Sequence, residues 1–182
     1  MDALEVARKR SFQGNLVFVR GGFNVFSRGL DAMAADLKKR GLKPTVVSHY
    51  AENDIVETII ANHKKYGRKP VILVGHSWGA NSVLKIAAGL SKAKIRVDYL
   101  VSFAATNPLP AAPNIRKLTN YYFSEDGWGK PVVRGRGFRG NLKNIDLSKR
   151  SGINHFNVDE DPKVQKQVIA NVLRFMGRKR SS

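Results

Sequence analysis

The chain has 182 residues, 42% of them hydrophobic, with no cysteine and a formal net charge of +18. That length supports one domain with a sizeable core. The composition excludes a disordered polymer, and the lack of cysteine excludes disulfides and thiolate metal sites. No stretch approaches the ~20 apolar residues of a membrane span. The opening MDALEVARKRSF lacks the apolar core of a signal peptide. A soluble protein is expected, cytoplasmic or exported with its leader removed.

In chain order, NLVFVR (Asn15–Arg20) reads as a buried strand that exits at Gly21 and Gly22. Ser27 is placed to cap a helix over Gly29–Arg40, whose Leu30, Met33, Ala34 and Leu37 recur at helical spacing. Pro44–Ser48 reads as a strand and Glu52–Tyr66 as a helix with Ile55, Ile59 and Ile60 inward. Pro70–Val74 is a strand apolar on both faces, and Ser82–Lys92 a helix presenting Val83, Ile86, Ala87 and Leu90. Val97–Phe103 and Lys117–Phe123 read as strands, with a short last strand at Asn144–Leu147. Asp161 and Pro162 start a final helix that runs to about Met176. Strands alternating with helices imply an α/β fold: a mostly parallel sheet with helices on both faces. No linker or repeat divides it, so residues 1–182 are expected to form one domain, with a basic tail over about 177–182. The stretch Ser124–Lys143 is rich in glycine and irregular, a length of loop uncommon in a compact domain unless it is functional.

Ligands of parallel sheets bind at the carboxyl ends of the strands. There the chain carries Gly75-His76-Ser77-Trp78-Gly79, a G-x-S-x-G pattern between an apolar strand and a helix. A sharp strand-to-helix turn presents the serine hydroxyl at a helix N-terminus and demands small flanking residues. Ser77 is therefore the expected nucleophile. A serine needs a base. Of the four histidines, His155 lies in the loop before the last helix and fits that role. His49 is a second candidate at the rim. His63 is near a helix end, and the ring of His76 should point away from the hydroxyl. The imidazole needs an orienting carboxylate. Asp126, in the turn after Lys117–Phe123, is preferred, with Asp146 as rival and Glu125 as a further alternative. Oxyanion donors are expected from the backbone of Trp78 and, in the GGFN turn, of Gly22 and Phe23.

On FVRGG, GHSWGA, the SED turn and NHFNV, in the order Ser…Asp…His, the chain resembles the α/β-hydrolase superfamily over residue 15 to about 176. More narrowly it resembles short bacterial serine hydrolases of thioesterase or lipase type. The resemblance implies hydrolysis of esters or thioesters through an acyl-enzyme, with no metal or organic cofactor. Two departures stand out. Arg20-Gly21 replaces the HG of many members, and the eleven residues Thr106–Arg116, with three prolines, leave no room for a helical lid.

The charge, 32 Lys and Arg against 14 Asp and Glu, points to an anionic partner or to nothing more than a solvated basic surface. Arg134, Arg136 and Arg139 lie between the expected acid and base, with Trp128 nearby. They are expected to contact an anionic substrate, or the surface presenting it. The alternative is a nucleic-acid-binding or scaffold protein on a hydrolase fold. RGRGFRG and the GRKR tail support it, but no RNA-binding module is legible.

Overall fold

A computed structural model describes residues 12–22, 27–125 and 127–177. In chain order the elements are β1 (Asn15–Arg20), α1 (Arg28–Lys39), β2 (Thr45–Ser48), α2 (Glu52–Tyr66), β3 (Val71–His76), α3 (Trp78–Lys92), β4 (Tyr99–Phe103), β5 (Lys117–Tyr122), β6 (Asn141–Asp146) and α4 (Pro162–Phe175). The six strands form one sheet in the order β2-β1-β3-β4-β5-β6, and every pairing is parallel. This is the α/β architecture expected from the alternation of strands and helices.

Strand alternation sends successive side chains to opposite faces. Leu16, Phe18, Ile72, Val74, Tyr99, Val101 and Tyr121 pack with Leu30, Met33 and Leu37 of α1 and Val164, Val168 and Val172 of α4. Val17, Val19, Leu73, Leu100 and Leu118 pack on the other face with Ile55 and Ile59 of α2 and Val83, Ile86 and Leu90 of α3. No helix among the described residues is long and apolar enough to cross a membrane.

Three elements differ from the sequence-based expectation. Helix α3 begins at Trp78 rather than Ser82, directly after Ser77. Ser27 does not cap α1 with its side chain. The carboxylate of Asp159, remote in sequence, accepts from Leu30 N–H at 3.1 Å instead. Strand β6 starts three residues before its expected place. Its sequence NLKNID is polar because it is an edge strand, with only Leu142 and Ile145 half-buried, so hydrophobic patterning marks it weakly.

The connection from β5 to β6 contains no helix among its described residues. Polar contacts and two buried side chains fix it. Asn120 donates to the Lys130 carbonyl at 2.9 Å, and Asn144 both accepts from Val132 N–H and donates to its carbonyl at 2.9 Å. Val132 and Phe138 then insert into the core on the α3 side.

Candidate active site

β3 is buried along its whole length and ends at His76, so the chain must turn sharply to enter α3. Ser77 makes that turn with φ 57° and ψ −118°. A residue with a Cβ adopts such a backbone only under local strain, which the surrounding structure must enforce. The flanking glycines explain how. A Cβ on Gly75 would strike the carbonyl of Gly79, and a Cβ on Gly79 would strike the carbonyls of Val19 and Arg20. Helix and sheet therefore approach at backbone distance on either side of the serine.

His155 follows β6 in the loop before α4 and is buried. Its Nε2 lies 3.0 Å from Ser77 Oγ. Its Nδ1 lies 3.0 Å from the carbonyl oxygen of Trp128. A carbonyl only accepts, so Nδ1 carries the proton of the neutral ring, and Nε2 accepts the hydroxyl hydrogen of Ser77. That tautomer is the one a general base needs.

Beneath this pair, His76 connects both sides of the site. Its Nε2 donates to the carbonyl of His155 at 2.7 Å, and its Nδ1 lies 3.1 Å from Ser27 Oγ. Ser27 Oγ accepts from Gly21 N–H at 3.1 Å. The ring of His76 is buried, and Asp159 Oδ1 stands 4.0 Å from its Nδ1. Burial pushes the Asp159 carboxyl up to about 7, opposed by hydrogen bonds that include the one from Leu30 N–H. Sequence reading did not find Asp159, one of three consecutive acids. Nothing in the sequence links it to α1; in the structure Gly29 makes room for it, since a Cβ there would collide with the Asp159 backbone.

Ser77 and His155 line a cleft of about 190 Å³ with Gly21, Gly22, His76, Trp78, Trp128 and Phe156. A Cβ on Gly22 would sit 2.8 Å from the Trp78 ring, so glycine lets that ring pack against the turn. Trp78, Trp128 and Phe156 are each about half exposed, so the walls are aromatic. A larger cleft of about 380 Å³ opens at the amino end of β1, and among the described residues no serine or histidine lines it.

The other expected site residues fall elsewhere. His49 packs edge-on against Trp78, with ring centroids 5.2 Å apart, and makes no bond to Ser77. His63 lies in the last turn of α2. Asp126 and Phe23 are outside the described residues. Asp146 accepts from Ser124 Oγ at 2.5 Å and from Ser148 N–H and Oγ at 3.0 and 2.7 Å, and makes no bond to His155. Those hydrogen bonds, with Ser124 first, hold its carboxyl well below the usual carboxylate range. It fastens the turn in which Glu125 is exposed and donates its backbone N–H to Ser148 Oγ.

Arg134, Arg136 and Arg139 do not line the cleft, whereas Trp128 does. A parallel β6 must begin at the amino end of the sheet, so the chain descends the sheet after Lys130. Arg134 stacks on Phe138 beside Ala111, and Gly140 lies against the Ile115 carbonyl at the base. The interval from β4 to β5 contains no helix, so no helical lid rises there.

No family model and no curated protein sequence matches the chain. Among solved structures it is similar to a protein of Xanthomonas campestris pv. campestris assigned to the α/β hydrolase superfamily. The TM-score is 0.50 at 14% identity, covering 88% of this chain and 98% of that one. At that identity the likeness concerns the fold alone. The two chains share the α/β arrangement of a parallel sheet with helices around it.

Proposed function

We propose that the protein is a serine hydrolase of carboxylic esters or thioesters. The carrying observation is the 3.0 Å contact between Ser77 Oγ and His155 Nε2 at a strained strand-to-helix turn. Ser77 Oγ attacks the substrate carbonyl while His155 Nε2 takes its proton. The resulting imidazolium is stabilised by the Trp128 carbonyl at Nδ1 and by a carboxylate, for which Asp126 is the candidate. The oxyanion is met by the Trp78 N–H, at the first position of α3, and by a donor of Gly22 or Phe23.

Collapse expels the alcohol or thiol, which takes the proton from His155, and leaves an ester on Ser77. Water, deprotonated by the same nitrogen, attacks that ester; Ser77 Oγ leaves, takes the proton back from His155, and the acid is released. The cleft is smaller than the ~300 Å³ at which drug-sized pockets begin, and its walls are aromatic. A short apolar or aromatic acyl group fits it. Among the described residues no arginine lines the cleft, so a preference for anionic substrates acts through the field of the net charge rather than through contact.

A fluorophosphonate probe tests the reading. The wild type should gain one adduct, mapped to Ser77, and His155→Ala should label far more slowly. Labelling elsewhere or not at all would remove the basis for the proposal, and would favour the binding or scaffold alternative.

A further inference from the structure

A second cluster of charged side chains lies at the opposite end of the sheet from Ser77. Lys117 opens β5 and Asn141 opens β6, and the two are register partners. Arg174 stands in the last turn of α4. With Arg116 and Phe175 they line an open groove of about 590 Å³. Lys143 belongs to the same face, because it pairs with Thr119 two residues along the two strands.

Among the described residues these cations are held together without a counter-charge. Lys117 Nζ and Arg174 Nη2 both donate to one neutral acceptor, Asn171 Oδ1, at 3.1 Å. The Asn171 amide is oriented by its own bonds to the Tyr99 hydroxyl and the Gln167 carbonyl. The guanidinium groups of Arg116 and Arg174 stand 5.5 and 5.3 Å from the Phe175 ring, and Lys117 Nζ is 5.4 Å from that of Tyr99. Among the described residues, none of Arg116, Lys117, Lys143 and Arg174 pairs with a carboxylate. The end of α4 explains one cation through the helix dipole. Lys117 and Lys143 come from the sheet and Arg116 from the residue before β5, and they have no such reason to converge. Partial burial, then Arg174 and Lys143, lower the pKa of Lys117, so the cluster works against its own charge.

We propose that this groove is a binding site for a compact polyphosphate anion, separate from the Ser77 cleft by the length of a strand, about 20 Å. Arg116 and Arg174 offer planar forks that match phosphate oxygens, Lys117 and Lys143 add point charges, and the Asn141 amide adds a neutral donor. Nucleic acid fits less well. Base stacking needs free ring faces, whereas Phe175 is flanked by two guanidinium groups and Tyr99 is buried.

The test is titration calorimetry with tripolyphosphate at about 150 mM salt, where diffuse charge is screened beyond ~8 Å. Wild type should bind one equivalent, and Lys117→Gln/Arg174→Gln should lose at least about tenfold in affinity. Lys38→Gln/Lys39→Gln removes the same charge from an exposed helix end and should change affinity less than about twofold. If the first double variant fails to fold, the exposed single changes Arg116→Gln and Lys143→Gln should each weaken binding about threefold. All variants should keep wild-type labelling at Ser77. No binding by wild type, or equal losses in the two double variants, would overturn the proposal. So would tighter binding of a single-stranded oligonucleotide that depends on Lys117 and Arg174.

Discussion

The ring of His76 donates to the backbone carbonyl of His155 at 2.7 Å, so the residue before Ser77 holds the main chain of the proposed base. Through Ser27 Oγ the same ring is tied to Gly21 N–H, in the turn that carries the expected oxyanion donors. His76→Phe retains the volume and deletes both bonds. It should lower kcat on the order of 10- to 100-fold with little change in KM, as misplaced catalytic groups do. The buried polar groups it orphans should cost about 1–3 kcal/mol in stability. Steady-state kinetics and urea unfolding check this. An unchanged kcat in a folded variant would reduce His76 to a packing residue.

Asp159 gives a pH prediction. Its folded pKa, about 7, is raised above the unfolded value of about 3.9. The native state therefore keeps a proton that the unfolded chain has lost. The associated stability is fully present below pH ~4 and is lost as pH rises towards 7. Asp159→Asn cannot ionise and retains an acceptor for Leu30 N–H. Its melting temperature relative to wild type should rise steadily between pH 4.5 and 8, and stay level above that. A constant difference across that range would contradict the assignment.

The orienting acid is tested by comparing Asp126→Asn with Asp146→Asn. The first should lose on the order of 10²- to 10⁴-fold in kcat, because an amide cannot supply the negative charge that stabilises the imidazolium. The second should lose far less, because Asp146 is engaged by Ser124 and Ser148. Loss of its hydrogen bonds should appear instead as faster proteolysis near Ser124. The reverse ranking, with both variants folded, assigns the acid to Asp146.

Neutralising Arg134, Arg136 and Arg139 together tests how charge reaches the cleft. They stand outside it, so the effect should be confined to encounter rate. For an anionic ester, kcat/KM should fall about two- to fivefold at low salt and the difference should vanish at about 0.5 M salt. A neutral ester should be nearly unaffected. Equal losses on both esters would mean that the arginines shape the connection to β6.

The order of strands and helices was legible because buried strands such as PVILV and helices such as Gly29–Arg40 carry strong periodic signals. The turn at Ser77 and the placement of His155 followed from the same logic, since a parallel sheet puts loop residues at its carboxyl edge. Long-range polar contacts were not legible. Ser27 looks like a helix cap, but a buried hydroxyl goes to whatever groups the fold brings to it, here Gly21 and His76. The path of Arg134–Arg139 was misjudged because the amino end of β6 is polar. Its start is marked by pairing with Lys117 rather than by apolar pattern.

Turnover of a short p-nitrophenyl ester by Ser77→Ala, with folding checked by circular dichroism, tests most directly whether Ser77 is the nucleophile. The side chain is small and only partly buried, so the fold should be retained. A nucleophilic Ser77 requires a loss on the order of 10⁴- to 10⁶-fold. Turnover within about tenfold of wild type, above the ~10⁴-fold loss expected on removing a nucleophile, would contradict it.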